Sequence, residues 1–262
     1  MSFREIISSF IVLASLCQGC SIKEDRADCP RIVVVDMSEV DAWPFIEDGC
    51  EKLQMGLQSV GPGDYSSSLG LALSPDGLPG ECEFEAPREE LRFYAQCCGG
   101  TLGALIPLGS DCPVVYGCTQ DIDAGSDVTV PLQLHKQFCT INILFKEGPL
   151  PSCEYSVTGS VCGYDVFGQE VPGDFGYTLR PGSDGRCSVR VPRQADNSLR
   201  LRITGDGYVV RIFAIGEYIA QSGYDWTAED LEDIDLTVSF TSATAAFEID
   251  MWQKTVTIDV QF

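Results

Sequence analysis

The sequence predicts an all-β protein built from two tandem antiparallel β-sandwiches. From Arg31 onward, apolar residues recur with a period of two or in short runs, and helical periodicity is slight. Glycine- and proline-rich turn signals separate these runs, as in sandwiches made of many short strands. The chain has 262 residues, which is enough for two domains of ordinary size.

The first residues have the form of a secretory signal. Arg4 provides a short positive segment, and residues 6–16 are apolar but too short to cross a bilayer as a helix. The following residues, Leu16-Cys17-Gln18-Gly19-Cys20, resemble a bacterial lipobox, whose cysteine is acylated and becomes the first residue of the mature protein. We therefore expect a lipoprotein signal peptide over 1–19 and lipidation at Cys20. An ordinary signal peptide with two incidental cysteines is the alternative.

Residues 20–30 are expected to form a lipidated linker. They show no apolar periodicity, and the segment ends at Pro30. Lys23 is followed by two acidic residues, which is similar to the surface-export signal of Bacteroidota lipoproteins; a solvated polar tether is the alternative. No later segment is apolar for about 18 residues, so the sequence predicts no membrane-spanning helix.

Strand patterns fill the rest of the chain. They cover residues 31–35, 52–58, 91–97, 128–134, 138–145, 187–191, 199–203, 208–215, 234–240, 245–250 and 254–262. In residues 199–203, for example, apolar side chains alternate with Arg200 and Arg202, as in a strand with one face on a core and one in water. Short helices are predicted only at 46–57 and 217–221. A charged stretch without glycine at 134–137 indicates the boundary between an N-terminal sandwich, 31–137, and a C-terminal sandwich, 138–262.

The composition excludes several function classes. A net charge of −22 argues against nucleic-acid binding, which needs basic residues to neutralise phosphates. His135 is the single histidine, so the chain has no site with two or three histidine ligands, and we expect it at the surface or between domains. No nucleophile elbow or phosphate-binding loop occurs, so we expect no catalytic residue and no cofactor.

Metal binding is not favoured either. Asp121, Asp123 and Asp127 place three carboxylates in a short segment, but the glutamate that completes an EF-hand loop is absent. A hydrated acidic turn is the preferred interpretation, and no metal site is predicted.

The chain has 13 cysteines. If Cys17 leaves with the signal and Cys20 carries lipid, the remaining number is odd, so at least one thiol stays free or pairs between chains. Disulfides are favoured over zinc in an exported protein, although the sequence does not reveal their connectivity. Cys97 and Cys98 are adjacent on a predicted strand, so we expect their side chains on opposite faces.

Two regions carry a family resemblance. The first runs from Cys20 to Pro30 and leads directly into a β run. The second runs from Ala214 through Gly216 and Tyr224 to Trp226, continues over 230–235, and ends in a strand that closes with Asp250-Met251-Trp252. Together they resemble the FimB-type family of fimbrial anchor subunits of the Bacteroidota.

This resemblance implies a fold, a location and partners. It implies a lipoprotein of two transthyretin-like β-sandwiches that anchors or terminates a fimbrium at the outer membrane. Neighbouring fimbrial subunits would join by strand addition, in which an extended segment of one subunit completes a sheet of the next. Cys20 would be the lipid anchor, and residues 216–226 would connect into the last hairpin. A glycan-binding surface lipoprotein is the alternative function, and a secreted hydrolase is less favoured because its motifs are missing.

Overall fold

The computed structural model describes residues 29–98, 103, 105–150, 152–205, 208–240, 244–251 and 254–261. Within these ranges the chain forms seventeen strands and two short helices, so the predicted predominance of β structure is confirmed. No helix in the described part is long and apolar enough to span a membrane. The predicted signal peptide, Cys20 and most of the linker lie outside the described residues.

The first eight strands form two sheets. One has five strands in the order β3-β2-β5-β6-β8, and the other has three in the order β4-β1-β7, where β1 and β7 run parallel. Helix α1, Trp43–Glu47, lies between β1 and β2. The strands are β1 (Arg31–Asp36), β2 (Lys52–Ser59), β3 (Ser66–Ala72), β4 (Glu81–Ala86), β5 (Leu91–Cys98), β6 (Val115–Ile122), β7 (Val128–Pro131) and β8 (His135–Lys136).

The remaining strands form two further sheets. One has the order β12-β9-β15-β16-β17, with β9 and β15 parallel, and the other has the order β11-β10-β13-β14. Helix α2, Ile215–Gln221, follows β14. The strands are β9 (Phe138–Phe145), β10 (Cys153–Tyr164), β11 (Glu170–Leu179), β12 (Arg186–Pro192), β13 (Arg200–Gly205), β14 (Tyr208–Phe213), β15 (Ile234–Phe240), β16 (Thr244–Met251) and β17 (Lys254–Gln261).

The two sheets of each half pack face to face. In the N-terminal half, the Cys82 sulfur on β4 lies 3.4 Å from the Met55 sulfur on β2. In the C-terminal half, the rings of Phe213 and Phe247 from opposing sheets are 4.9 Å apart. Alternate side chains point into each core, because a strand turns successive residues to opposite faces. Buried residues of both halves belong to one continuous apolar cluster.

The predicted strands at 138–145 and 234–240 are confirmed at both ends, as β9 and β15. The predicted helix at 217–221 is confirmed as part of α2. Residues 52–57 fall in both a predicted strand, 52–58, and a predicted helix, 46–57. The strand is confirmed within β2, and the helix is wrong beyond Glu47. Leu53, Met55 and Leu57 are buried at a spacing of two residues, which one face of a helix could not achieve.

The expected disulfides are not seen in the structure, since no S–S bond joins any of the eleven described cysteines. The expectation for Cys97 and Cys98 is confirmed. Cys97 lies in the main core, whereas Cys98 packs with Val115 and Tyr164 in a separate cluster on the other side of the sheet.

Candidate functional site

The candidate site is the junction between the N-terminal and C-terminal sheets. Gln137 lies between β8, which belongs to one half, and β9, which begins the other. Arg193, directly after β12, donates from its backbone amide to the Gln137 carbonyl at 3.1 Å. Its side-chain Nε also donates to Gln137 Oε1 at 2.9 Å. Arg193 therefore links the end of β12 to Gln137, where the chain passes from the N-terminal half to the C-terminal half.

The guanidinium of Arg193 also holds the segment 226–229, which leads towards β15. It donates to the backbone carbonyls of Trp226 and Ala228, the second at 2.7 Å, and to that of Glu229 at 3.0 Å. Arg193 is only 9% exposed, so these carbonyls satisfy a buried charge that would otherwise be strongly unfavourable. The rigid fork of five N–H donors suits arginine to this position.

Tyr164, at the end of β10, completes the same junction. Its hydroxyl donates to the Gln137 carbonyl and accepts from the Arg193 amide at 2.8 Å. Burial raises the pKa of Tyr164, so its hydroxyl stays protonated and able to donate. The buried Tyr164 side chain thus bonds both to Gln137, between the two halves, and to Arg193, at the end of β12.

Hydrogen bonds and an ion pair join β8 to the segment before β15. His135 Nδ1 lies 3.0 Å from an Asp230 carboxylate oxygen, and the Lys136 amide donates to the other oxygen at 2.6 Å. Lys136 Nζ lies 2.7 Å from Asp233 Oδ1. Partial desolvation opposes ionisation of Asp230, but the hydrogen bonds from His135 and the Lys136 amide outweigh it and lower the pKa of this carboxyl. The structure therefore places His135 between the two halves.

A second connection comes from residues 105–112, which we name the strap. The Ile106 amide donates to the Cys162 carbonyl of β10 at 2.7 Å, and the Gly109 amide donates to the Gly176 carbonyl of β11 at 2.6 Å. At its end, the Cys112 amide donates to the Arg190 carbonyl of β12 at 3.1 Å. The strap belongs to the N-terminal half and covers part of one side of the C-terminal half.

A cleft of about 630 Å³ opens beside the junction. Six of its sixteen lining residues, drawn from both halves, carry amide or hydroxyl side chains, and four more are His135, Glu170, Arg193 and Glu229. The donors of Arg193 already bind Gln137 and the 226–229 carbonyls. The guanidinium therefore serves to hold the two halves together. This arrangement is typical of a structural contact and not of a catalytic centre.

On the side of the C-terminal half away from the strap, the described residues leave two strand edges unpaired. Strands β14 and β17 end their respective sheets, and no described strand pairs with their outer edges. Phe247 and Ile249 on β16 are fully buried. Their partners on β17, Ile258 and Val256, are only half-buried. The apolar side chains of β17, the last strand of its sheet, are therefore less buried than their partners on β16.

The structure also locates the other residues singled out from the sequence. Asp121 forms an ion pair with Arg92 at 2.7 Å, and Asp127 accepts from the Ile32 amide at 2.9 Å, so these two carboxylates have protein partners. Among the described residues, no group of three or more histidine, cysteine or acidic side chains is arranged to hold a metal. Trp43 is half-exposed, whereas Trp226 is buried.

The segment 216–226 packs against the C-terminal half. Tyr218 lies with its ring 4.9 Å from that of Phe247. Gly216 approaches the backbone so closely that a Cβ would lie 2.5 Å from the Asn197 carbonyl oxygen. No sequence pattern indicates the roles of Arg193 or Tyr164, because their partners are distant in sequence and recognised through backbone carbonyls.

Comparisons by sequence give no relative: no family model and no curated protein matches this chain. Comparison with solved structures does find matches. The fimbrial anchor protein Mfa2 from Porphyromonas gingivalis superposes with a TM-score of 0.60 at 12% identity, covering 87% of this chain and 99% of Mfa2.

Two proteins of Bacteroides thetaiotaomicron are also similar. A candidate polysaccharide-binding protein matches with a TM-score of 0.57 at 12% identity, over 88% of this chain and 98% of its own. A candidate adhesin matches with a TM-score of 0.52 at 13% identity, over 87% and 98%. The chain therefore shares the fold of the Mfa2 fimbrial anchor and of Bacteroides adhesins over most of its length, which confirms at the level of fold the resemblance drawn from the sequence.

Proposed function

We propose that this protein is a non-catalytic outer-membrane lipoprotein that anchors or terminates a fimbrium at the cell surface. Two independent features support this. The described chain has the fold of a fimbrial anchor, and the N-terminal residues carry a lipobox-like segment ending in Cys20. Attachment through acyl chains would be stable, because each buried CH₂ contributes about 0.8 kcal/mol.

We also propose a division into two transthyretin-like domains, 31–137 and 138–262. The four described sheets each draw strands from only one side of Gln137. The buried contacts of Arg193 and Tyr164 at this point would then be an interdomain joint. Such a joint suits a protein that must transmit force from a bound fimbrium to its lipidated N-terminus.

The edge of β17 is the place where we propose that a fimbrial subunit adds its strand. The observation that carries this proposal is the incomplete burial of Val256 and Ile258 beside the fully buried Phe247 and Ile249. An added strand would extend the sheet through main-chain hydrogen bonds and bury these side chains. On the other side of the sandwich, the strap already bonds to β11 and β12.

Site-specific photocrosslinking in fimbriated cells tests this edge. A photoreactive phenylalanine replaces Thr257 on β17 or, as the control, Ser188 on β12. Both side chains are exposed, on opposite edge strands of the same sheet. We expect Thr257 to crosslink to a fimbrial structural subunit and Ser188 not to. Crosslinking from Ser188 alone, from both positions, or from neither would contradict the proposed edge.

Membrane attachment is tested separately by Cys20→Ala, with Cys17→Ala as the matched control. We expect Cys20→Ala to release both the protein and its fimbriae from the membrane fraction, and Cys17→Ala to release neither. Retention of the protein and fimbriae in cells that carry Cys20→Ala would contradict the anchor role.

Glycan binding is a second candidate function. The observation that favours it is the cleft at the junction, whose lining includes Thr119, Gln120 and Gln133. Amide and hydroxyl groups of this kind hydrogen-bond the hydroxyls of a neutral sugar. A glycan array probed with wild-type protein and with Gln133→Ala tests it: loss of a specific signal in the variant would support the cleft, and an array without signal would exclude this function.

A further inference from the structure

Two buried thiols are neighbours in the core of the N-terminal half. Cys50 lies between α1 and β2 and is 2% exposed, and Cys97 lies in β5 with no exposure. Both belong to the same buried apolar cluster, and Cys50 is the neighbour that most raises the pKa of Cys97. Other described thiols have different neighbours: Cys112 donates to the Pro113 carbonyl at 3.3 Å, and Cys82 contacts the Met55 sulfur at 3.4 Å.

The local fold explains why these two cysteines meet. Strand β2 begins two residues after Cys50 and pairs with β5, with Leu53 directly opposite Cys97. The Cys50 amide donates to the Phe45 carbonyl at 2.9 Å, which turns the end of α1 back over the sheet. Phe45 then packs on Tyr116, the β6 neighbour of Cys97, with ring centroids 4.8 Å apart.

We propose that Cys50 and Cys97 are an oxidative modification site and become a disulfide when the exported chain meets a disulfide oxidant. The bond would tie α1 and the start of β2 to the central strand β5. It would also account for two of the odd set of cysteines that remains after the signal. The proposal requires export of the chain but does not depend on its fimbrial role.

The chemistry balances as thiol–disulfide exchange. The Cys50 thiolate attacks the oxidant's disulfide, whose S–S bond breaks and releases one thiol. Cys97 then loses its proton and attacks the Cys50 sulfur of the mixed disulfide, which releases the second thiol. The two cysteines lose two protons and two electrons in total, and the oxidant's disulfide becomes two thiols.

Cys50 is the natural first nucleophile. Its interaction with Cys50, followed by burial, raises the pKa of Cys97, so Cys97 remains a thiol in the folded chain. Helix α1 has five residues, no side-chain cap and no buried residue. A helix this short gains little from its own hydrogen bonds, so local opening of α1 exposes Cys50 without unfolding the sheet.

Mass spectrometry of the full chain tests the proposal. The protein is produced with its own N-terminal segment in cells that have an oxidising periplasm, and it is isolated without reductant. Free thiols are blocked by N-ethylmaleimide in denaturant before digestion. We expect one linked peptide pair containing Cys50 and Cys97, about 2 Da lighter than the sum of the reduced peptides. Complete alkylation of both residues, or linkage of either to another cysteine, would overturn the proposal.

Thermal unfolding gives a second readout. Reduction of the wild-type protein should lower its Tm by roughly 5 to 10 °C. Cys50→Ala should remove this dependence on reductant, whereas Cys187→Ala, which changes a half-buried thiol in the other half, should retain it. Equal reductant sensitivity of Cys50→Ala and wild type would also overturn the proposal. Neither readout involves fimbriae, so failure here leaves the proposed function standing, and the reverse also holds.

Discussion

Asp111 at the end of the strap forms an ion pair with Arg190 on β12, with an Oδ2–Nη2 distance of 3.1 Å. Its other oxygen accepts from the Arg190 backbone amide at 2.6 Å, and Arg190 Nε donates to the Cys112 carbonyl at 2.8 Å. The two residues belong to different halves of the chain. The strap is therefore attached through side-chain and main-chain bonds together.

Replacing Asp111 tests how firmly the strap is attached. Asp111→Ala removes the ion pair and the acceptor of the Arg190 amide, and we expect a loss of about 1 kcal/mol in the free energy of unfolding. The loss is small because both side chains are about a third exposed and water can replace the bonds. Urea unfolding measures it.

A more exposed pair serves as the control for the strap. Glu248 and Lys146 lie 3.4 Å apart, with side chains 40% and 53% exposed. Glu248→Ala should change the free energy of unfolding by no more than about 0.5 kcal/mol. Equal effects of the two substitutions would show that the strap contributes nothing beyond an ordinary surface ion pair.

Arg193 should contribute far more to stability than the strap. Arg193→Lys cannot reproduce four contacts with one ammonium, and it leaves buried carbonyls without donors. We expect a loss of about 3 kcal/mol in the free energy of unfolding. Hydrogen exchange should also increase across residues 226–231, because this segment loses its attachment to the end of β12.

Arg200→Lys is the matched control, because Arg200 is exposed on β13 and forms no salt bridge with a described residue. It should leave both stability and exchange close to wild type. If Arg193→Lys behaves like Arg200→Lys, the guanidinium does not hold the junction.

The strands show where sequence reasoning succeeds. The sequence predicts strand β15 at its full length because its alternation of apolar and polar side chains reflects one buried face. It does not indicate strand β3, Ser66–Ala72, because serine and glycine dominate that segment, and its extended form depends on pairing with β2. Local composition alone favours a loop there.

The junction could not be predicted for a different reason. Arg193 recognises backbone carbonyls 33 to 36 residues away, and every residue offers a carbonyl, so no side-chain motif marks the partner. The position of His135 near the boundary predicts that it lies at the surface or between domains, but its acidic partner Asp230 lies 95 residues further on.

Gly185 provides a test of turn geometry in the C-terminal half. Its φ is +76°, and an added Cβ would lie 2.4 Å from the Phe145 carbonyl oxygen. Gly185→Ala should therefore lower the free energy of unfolding by about 1 to 3 kcal/mol through backbone strain and a clash. Gly61→Ala is the control, since Gly61 has no atom within 4 Å of a Cβ, and it should be nearly neutral. Thermal or urea unfolding of both variants checks this, and a neutral Gly185→Ala would contradict the left-handed turn at the entry to β12.

Asp230 should make the stability of the junction depend on pH. Its pKa is lowered in the folded chain: desolvation opposes ionisation, but the hydrogen bonds from His135 and the Lys136 amide outweigh it. A carboxyl with a lowered folded pKa stabilises the protein above its unfolded pKa of about 3.9, and this contribution disappears as the pH falls through the folded value. The stability difference between wild type and Asp230→Asn should therefore be largest near neutral pH and shrink as the pH falls from about 5 to below 3. Urea unfolding across this range measures it, with the exposed Asp174→Asn as the control. A difference that stays constant with pH would mean that ionised Asp230 does not stabilise the contact with β8.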